Sequence, residues 1–213
     1  MHEGFVSRYL NRRFSRPIAR ALAHTPVTPN QVSFIAFLMA AGAAALFYYD
    51  LNIWAGILVQ ASSIVDGVDG DLARAKNMAS RFGGFFDALL DRYADAVILA
   101  GLGYWAFKFQ AGADQTTVTL LAGVAIVGSL MISYSRARAE ATFGQPFEGL
   151  PGALASRDLR LFVIMIGAII GQGVATLAVI GVLTNMVVLW RLGVARWGNV
   201  GERERANDKP VHL

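Results

Sequence analysis

Apolar stretches about as long as a bilayer is thick recur along this chain, and its charges gather where those stretches end. Hydrophobic residues make up 55% of the 213 residues and charged residues only 16%, against about 25% charged in ordinary soluble domains. A helix crosses roughly 30 Å of hydrocarbon with about 20 residues. On that rule the sequence predicts an all-α polytopic membrane protein with six transmembrane helices, at about 29–49, 52–75, 82–108, 116–140, 157–173 and 175–196. Thr28-Pro29-Asn30 reads as the start of the first, with Thr28 as N-cap and Pro29 at the first helical position.

Ahead of these spans, Arg8, Arg12, Arg13, Arg16 and Arg20 are spaced through apolar positions. An uninterrupted apolar signal-peptide core is therefore not expected. The pattern predicts an amphipathic helix lying on the membrane surface. The expected organisation is thus a juxtamembrane helix (1–26), a six-helix transmembrane catalytic domain (27–198) and a cytoplasmic tail (199–213).

Charge placement orients the whole. Six spans put both termini on one side, and of 19 lysines and arginines only Lys108 falls on the other. The basic side is expected to be cytoplasmic, in the cell (inner) membrane. The net charge of +4 thus belongs to lipid headgroups and phosphorylated substrates, with no nucleic acid as partner. Cysteine is absent, and the three histidines, His2, His24 and His212, lie near segment ends. That disfavours a thiolate or histidine metal site and a Ser/His triad.

The chemistry is expected where spans two and three approach the basic side. Asp66, Asp69 and Asp71 end one span; Asp87, Asp91 and Asp95 open the next. Acids inside membrane segments cost about 2.5–3.5 kcal/mol each on insertion scales and are usually functional. At 100° per residue Asp66 shares a helix face with Asp69, and Asp87 with Asp91. A short link at 76–82 makes the spans antiparallel, so four carboxylates can face one another. Such an oxygen-rich set suits two divalent ions, Mg²⁺ or Mn²⁺, and two-metal phosphoryl-type transfer. Gly67, Gly70, Gly83 and Gly84 remove side chains beside the acids. Asp71 is expected to face headgroups, and Asp95 to support the site with Arg92 or Arg138 as partner. Arg138, Arg157 and Arg160 form a candidate basic pocket for an acceptor phosphate.

These residues resemble the signature of the CDP-alcohol phosphotransferase family, D-x2-D-G-x2-A-R, eight residues, then G-x3-D-x3-D. Here it reads Asp66, Asp69, Gly70, Ala73, Arg74, Gly83, Asp87 and Asp91. The resemblance implies that Asp66, Asp69, Asp87 and Asp91 hold two metals, with Asp91 as general base. It implies that Asp69, Gly70, Ala73, Arg74 and Gly83 line the nucleotide site, that CMP leaves, and that the protein is a homodimer. The run from Val27-Thr28-Pro29-Asn30-Gln31 to Arg157-Asp158-Leu159-Arg160 is most similar to the inositol-phosphate-using branch, including di-myo-inositol phosphate phosphate synthases. The implied acceptor is an alcohol, chiefly a polyol phosphate. The cytidylyltransferase domain often fused in that branch is not expected here, so the donor stays open between CDP-inositol and a CDP-diacylglycerol-type lipid. Two other classes fit intramembrane acids: a UbiA-type prenyltransferase and a divalent-cation transporter. Clustering of the acids near one face favours an enzyme over a carrier.

Overall fold

The computed structural model describes residues 6–144 and 156–197. The expected tail at 199–213, His2 and His212 lie outside these residues, as does the side chain of Arg8. A π-helical turn, Ser7–Asn11, runs into α1 (Arg12–Ala23). There follow α2 (Pro29–Tyr48), α3 (Asn52–Ala75), α4 (Arg81–Phe109), α5 (Gln115–Phe143), α6 (Arg157–Ile169) and α7 (Gly173–Trp197). Among the described residues no strand occurs.

Local chemistry sets the boundaries. Thr28 and Gln31 form a capping box at α2: the Gln31 N–H donates to Thr28 Oγ1 and the Thr28 N–H to Gln31 Oε1. Two orphan N–H groups are thereby satisfied, with Pro29 losing nothing at a position that needs no donor. Ser80 caps α4 through the Gly83 N–H at 3.0 Å, and Asp114 caps α5 through the Thr117 N–H at 2.8 Å. Gly171 adopts φ 72°, a left-handed conformation that stops α6 short of the expected 173.

Three helices, α2, α5 and α7, combine the length and hydropathy needed to cross a bilayer. α3 and α4 are as long, with 24 and 29 residues, but carry the acid cluster. α6, with 13 residues, extends only about 20 Å at 1.5 Å per residue.

α3 and α4 both pack on α2, α6 packs on α3, and α5 joins α4 to α7. Phe47, Val59, Ile98, Leu102, Leu161, Ile164, Leu177 and Ile180 form the main core. Small residues let the helices close up. A Cβ on Gly101 of α4 would stand 2.9 Å from the Ala44 Cα of α2, and one on Gly56 of α3 would stand 2.9 Å from the Met165 carbonyl oxygen of α6. A smaller cluster seats α1 on this frame, with Ala19 against Val32, Val68 and Leu72. Arg13, Arg16 and Arg20 stay exposed, as do Phe14 and Ile18.

The α2–α4 contact yields a direct test. Gly101→Val should lower the thermal midpoint of the detergent-solubilised protein, overpacking costing about 1–3 kcal/mol. Gly123→Ala, whose Cβ would meet nothing within 4 Å, should leave the midpoint unchanged in the same scan.

Candidate active site

The acids meet because α3 ends and α4 begins at the same end of the bundle. The link between them is short and tied down. Asn77 takes a left-handed φ of 54°, and the Met78 N–H donates to the Ala73 carbonyl at 2.8 Å. Lys76 Nζ donates to the Thr25 and Val27 carbonyls at 2.5 and 2.7 Å, clasping the α1–α2 elbow to the end of α3. That clasp carries the N-terminus of α2, with Asn30 and Ser33, over the last turns of α3.

Asp66, Asp87 and Asp91 each offer a carboxylate oxygen within 4.8 Å of the others. Asp69 stands just beside this group, where Ser33 Oγ donates a short hydrogen bond to its Oδ2. The four signature acids therefore line one seam between α3 and α4, three clustered and the fourth tied to α2. The donors are all carboxylate oxygens, with no imidazole or thiolate, a set that fits hard divalent cations such as Mg²⁺ or Mn²⁺.

Two cavities open on either side of the seam. One, of about 220 Å³, is lined by Asn11, Arg12, Ser15, Ser63, Asp66, Gly67, Asp91, Arg157 and Asp158. The other, of about 210 Å³, is lined by Asn30, Ser33, Asp69, Gly70, Ala73, Arg74, Gly83 and Asp87, among others. All five positions expected at the nucleotide site thus border the second cavity. A Cβ on Gly83 would fall 3.1 Å from Ser80 Oγ and 3.3 Å from Asn30 Oδ1, so glycine there keeps the wall clear.

The three arginines expected at an acceptor pocket part company. Arg157 joins the cluster: its Nη1 lies 2.8 Å from Asp66 Oδ2 and 2.9 Å from Asp91 Oδ1, and its Nε 3.0 Å from Asp95 Oδ1. Arg160 sits deeper, its Nη2 2.6 Å from Asp95 Oδ2. Arg138 is exposed near the end of α5 and makes no ion pair among the described residues.

Two expectations need correction. Asp95 is partnered by Arg157, Arg160 and Ser129, not by Arg138, while Arg92 pairs with Asp91 at 3.3 Å. Asp71 does not face headgroups. Its side chain is 12% exposed and accepts from Arg12, Ser15 and Arg74, tying α1 to α3. Sequence reading also missed Asn11, Ser33 and Ser63. Ser33 and Ser63 were visible as polar positions inside apolar spans. Asn11 was not, because only tertiary packing brings it to Ser63 Oγ at 3.0 Å and to the Gln60 amide at 2.8 Å.

A helical bundle with three helices apolar enough to cross a bilayer and with paired acids between two cavities defines a class, and its relatives name it. Residues 26–197 match the family model for CDP-alcohol phosphatidyltransferases. The chain belongs to that family. It is 44% identical over 192 residues to a bifunctional IPC transferase and DIPP synthase of Rubrobacter xylanophilus, covering 90% of this chain and 42% of that protein. It spans between 32% and 43% of the length of four such bifunctional relatives. It is 34% identical to a phosphatidylinositol phosphate synthase of Mycobacteroides abscessus, covering 95% of this chain and 87% of that one. The crystal structure of Mycobacterium tuberculosis phosphatidylinositol phosphate synthase with CDP-DAG bound aligns at TM-score 0.72 and 26% identity, covering 85% of this chain and 92% of that one. The same enzyme in complex with manganese and citrate aligns at TM-score 0.74 and 26% identity, covering 86% and 89%.

Arg157 supplies positive charge to a seam crowded with acids. Arg157→Ala should lower the thermal midpoint in chelator by several degrees, since uncompensated buried charge is costly. Added Mn²⁺ should then raise it more than it raises wild type. An equal midpoint in chelator would contradict the counter-charge role.

Proposed function

We propose that this chain transfers a substituted phosphate group from a CDP-linked donor to a polyol phosphate, such as inositol phosphate, and releases CMP. The observation that carries this reading is the pair of cavities divided by one seam of carboxylates. A nucleotide and an acceptor must approach one phosphorus from opposite sides, and the seam carboxylates line both of these spaces.

In this reading Asp66, Asp69, Asp87 and Asp91 hold two divalent ions, which when bound offset phosphate charge and stabilise the attacking and leaving oxygens. Asp69, Gly70, Ala73, Arg74 and Gly83 bind the CMP part of the donor. Gly70 and Gly83 leave room for close approach, and exposed Arg74 is within reach of a diphosphate. The acceptor enters the cavity lined by Asp91 and Arg157. Arg157 binds its phosphate. Arg160 backs Arg157 from below, and Arg138 contributes from the rim. Asp91 takes the proton of the attacking hydroxyl. A P–O bond forms between that oxygen and the donor's β-phosphorus, and the bond from the β-phosphorus to its bridging oxygen breaks, with CMP leaving.

The donor is a CDP-diacylglycerol-type lipid or CDP-inositol. The likeness to a synthase with CDP-DAG bound supports the former, and the likeness to the bifunctional relatives keeps the latter. Either serves biosynthesis of a phospholipid or a related phosphodiester. The proposed topology has six crossings, α2 to α7, with local thinning of the bilayer at the short α6, and with both termini and the site on the cytoplasmic side of the inner membrane. The exposed Phe14 and Ile18 beside Arg13, Arg16 and Arg20 support α1 as the interfacial helix. The family resemblance supports a homodimer, which cross-linking in membranes would test.

Purified protein with Mg²⁺ or Mn²⁺ should release CMP from a CDP-alcohol only when a polyol phosphate is present, and mass spectrometry should find the joined phosphodiester. Chelator should abolish release and either ion restore it. Asp69→Asn and Asp87→Asn should each lose transfer while keeping the wild-type elution profile. Release of pyrophosphate would indicate a prenyltransferase, and ion flux into liposomes without CMP a carrier. Normal turnover by either variant would reject the metal assignment.

A further inference from the structure

Asp95 lies outside the family signature and borders neither cavity, yet it organises the acceptor side. Its position is one helical turn beyond Asp91 on α4, on the same face. Its carboxylate receives three side-chain donors: Ser129 Oγ at 2.8 Å, Arg160 Nη2 at 2.6 Å and Arg157 Nε at 3.0 Å. These come from α5 and from two positions one turn apart on α6. The Asp95 and Arg160 side chains are only 3% and 4% exposed, so this pair has almost no water to rearrange into.

The geometry of the guanidinium makes the arrangement directional. Its donors are fixed in one plane, so holding Nε on Asp95 fixes where the remaining edge points. That edge places Nη1 against Asp66 and Asp91, at the wall of the cavity they share. α6 packs mainly on α3 rather than on α4, and the Asp95 bonds bind it across to the helix that carries Asp87 and Asp91. An arginine without that anchor would retain its charge but lose its aim, since a long flexible side chain on a 13-residue helix has other rotamers open to it.

We propose that Asp95 is a positioning residue for the acceptor: with Ser129 and Arg160 behind it, it holds Arg157 so that the guanidinium edge standing against Asp66 and Asp91 meets an incoming phosphate beside Asp91. The proposal rests on the assignment of the Asp91–Arg157 cavity to a phosphorylated acceptor. It separates two roles that the sequence joined, Arg157 as the group that touches substrate and Arg160 as part of its mount.

The test measures initial rates with CDP-diacylglycerol or CDP-inositol as donor and inositol phosphate as acceptor. Inorganic phosphate serves as inhibitor and CMP binding as an independent readout of the other cavity. Asp95→Asn should raise the acceptor KM roughly 10- to 100-fold, the range that misplacing a binding group produces. It should weaken phosphate inhibition in parallel, with donor KM and CMP affinity within about twofold of wild type. Ser129→Ala removes one donor and no charge, and should shift the same two constants in the same direction by less. It also decides the matter if Asp95→Asn does not fold. Donor and acceptor constants moving together, or neither moving, would overturn the positioning role while leaving the acceptor assignment intact. Wild type that uses only unphosphorylated alcohols would instead overturn the acceptor assignment, and the positioning role with it.

Discussion

Five carboxylates, those of Asp66, Asp69, Asp87, Asp91 and Asp95, stand within two adjoining helices of a predominantly apolar bundle, and the structure is arranged around that fact. Like charges this close are tolerable in low dielectric only beside cations. The protein supplies Arg157 and Arg160 from α6 and Arg92 from α4 itself. The acids still outnumber these bases, and the oxygen donors that remain suit divalent ions. Close helix packing joins α6 to α3 at Gly56 and α4 to α2 at Gly101, and α2 packs on α3 as well, so that those pairings form across one frame. Fold and chemistry thus share one electrostatic constraint.

That constraint also divides the site. Asp69 and Asp87 face the space under the α2 N-terminus, and Asp66 and Asp91 the space under α1 and α6. The elbow between α1 and α2 contributes to both. The Lys76 clasp sets Asn30 and Ser33 over one cavity, while Asn11 and Ser15 of the amphipathic segment reach the other. The N-terminal helical segment therefore forms part of a wall of the cavity beside Asp66 and Asp91. In the proposed reaction this gives donor and acceptor separate doors to the same carboxylates.

Much of this was legible in the sequence because the strongest signals are local. The start of α2 follows from Thr28 as N-cap and Pro29 at the first helical position, and the capping box that Gln31 adds also forms within four residues. The limits of α3 follow from the apolar run between Asn52 and Ala75. The helical period put Asp66 beside Asp69 and Asp87 beside Asp91, and a short link brought the pairs together. What the sequence could not give was long-range pairing. Asp95 is 62 and 65 positions from its arginines, and no periodicity links α4 to α6. Asp71 looked like an end-of-span acid because its partners Arg12 and Ser15 come from another helix. The arginines at 138, 157 and 160 looked alike as basic residues near span ends, and only packing separates an exposed rim position from a buried mount.

The central claim is that the acids of α3 and α4 share divalent cations at the seam between the cavities. Anomalous diffraction from crystals grown with Mn²⁺ and CMP tests it most directly. The account predicts Mn²⁺ peaks coordinated by oxygens of Asp66, Asp69, Asp87 and Asp91, with CMP in the Gly70–Gly83 cavity and Arg157 on the opposite side. Mn²⁺ bound away from those four carboxylates, or CMP seated in the cavity under α1, would contradict it.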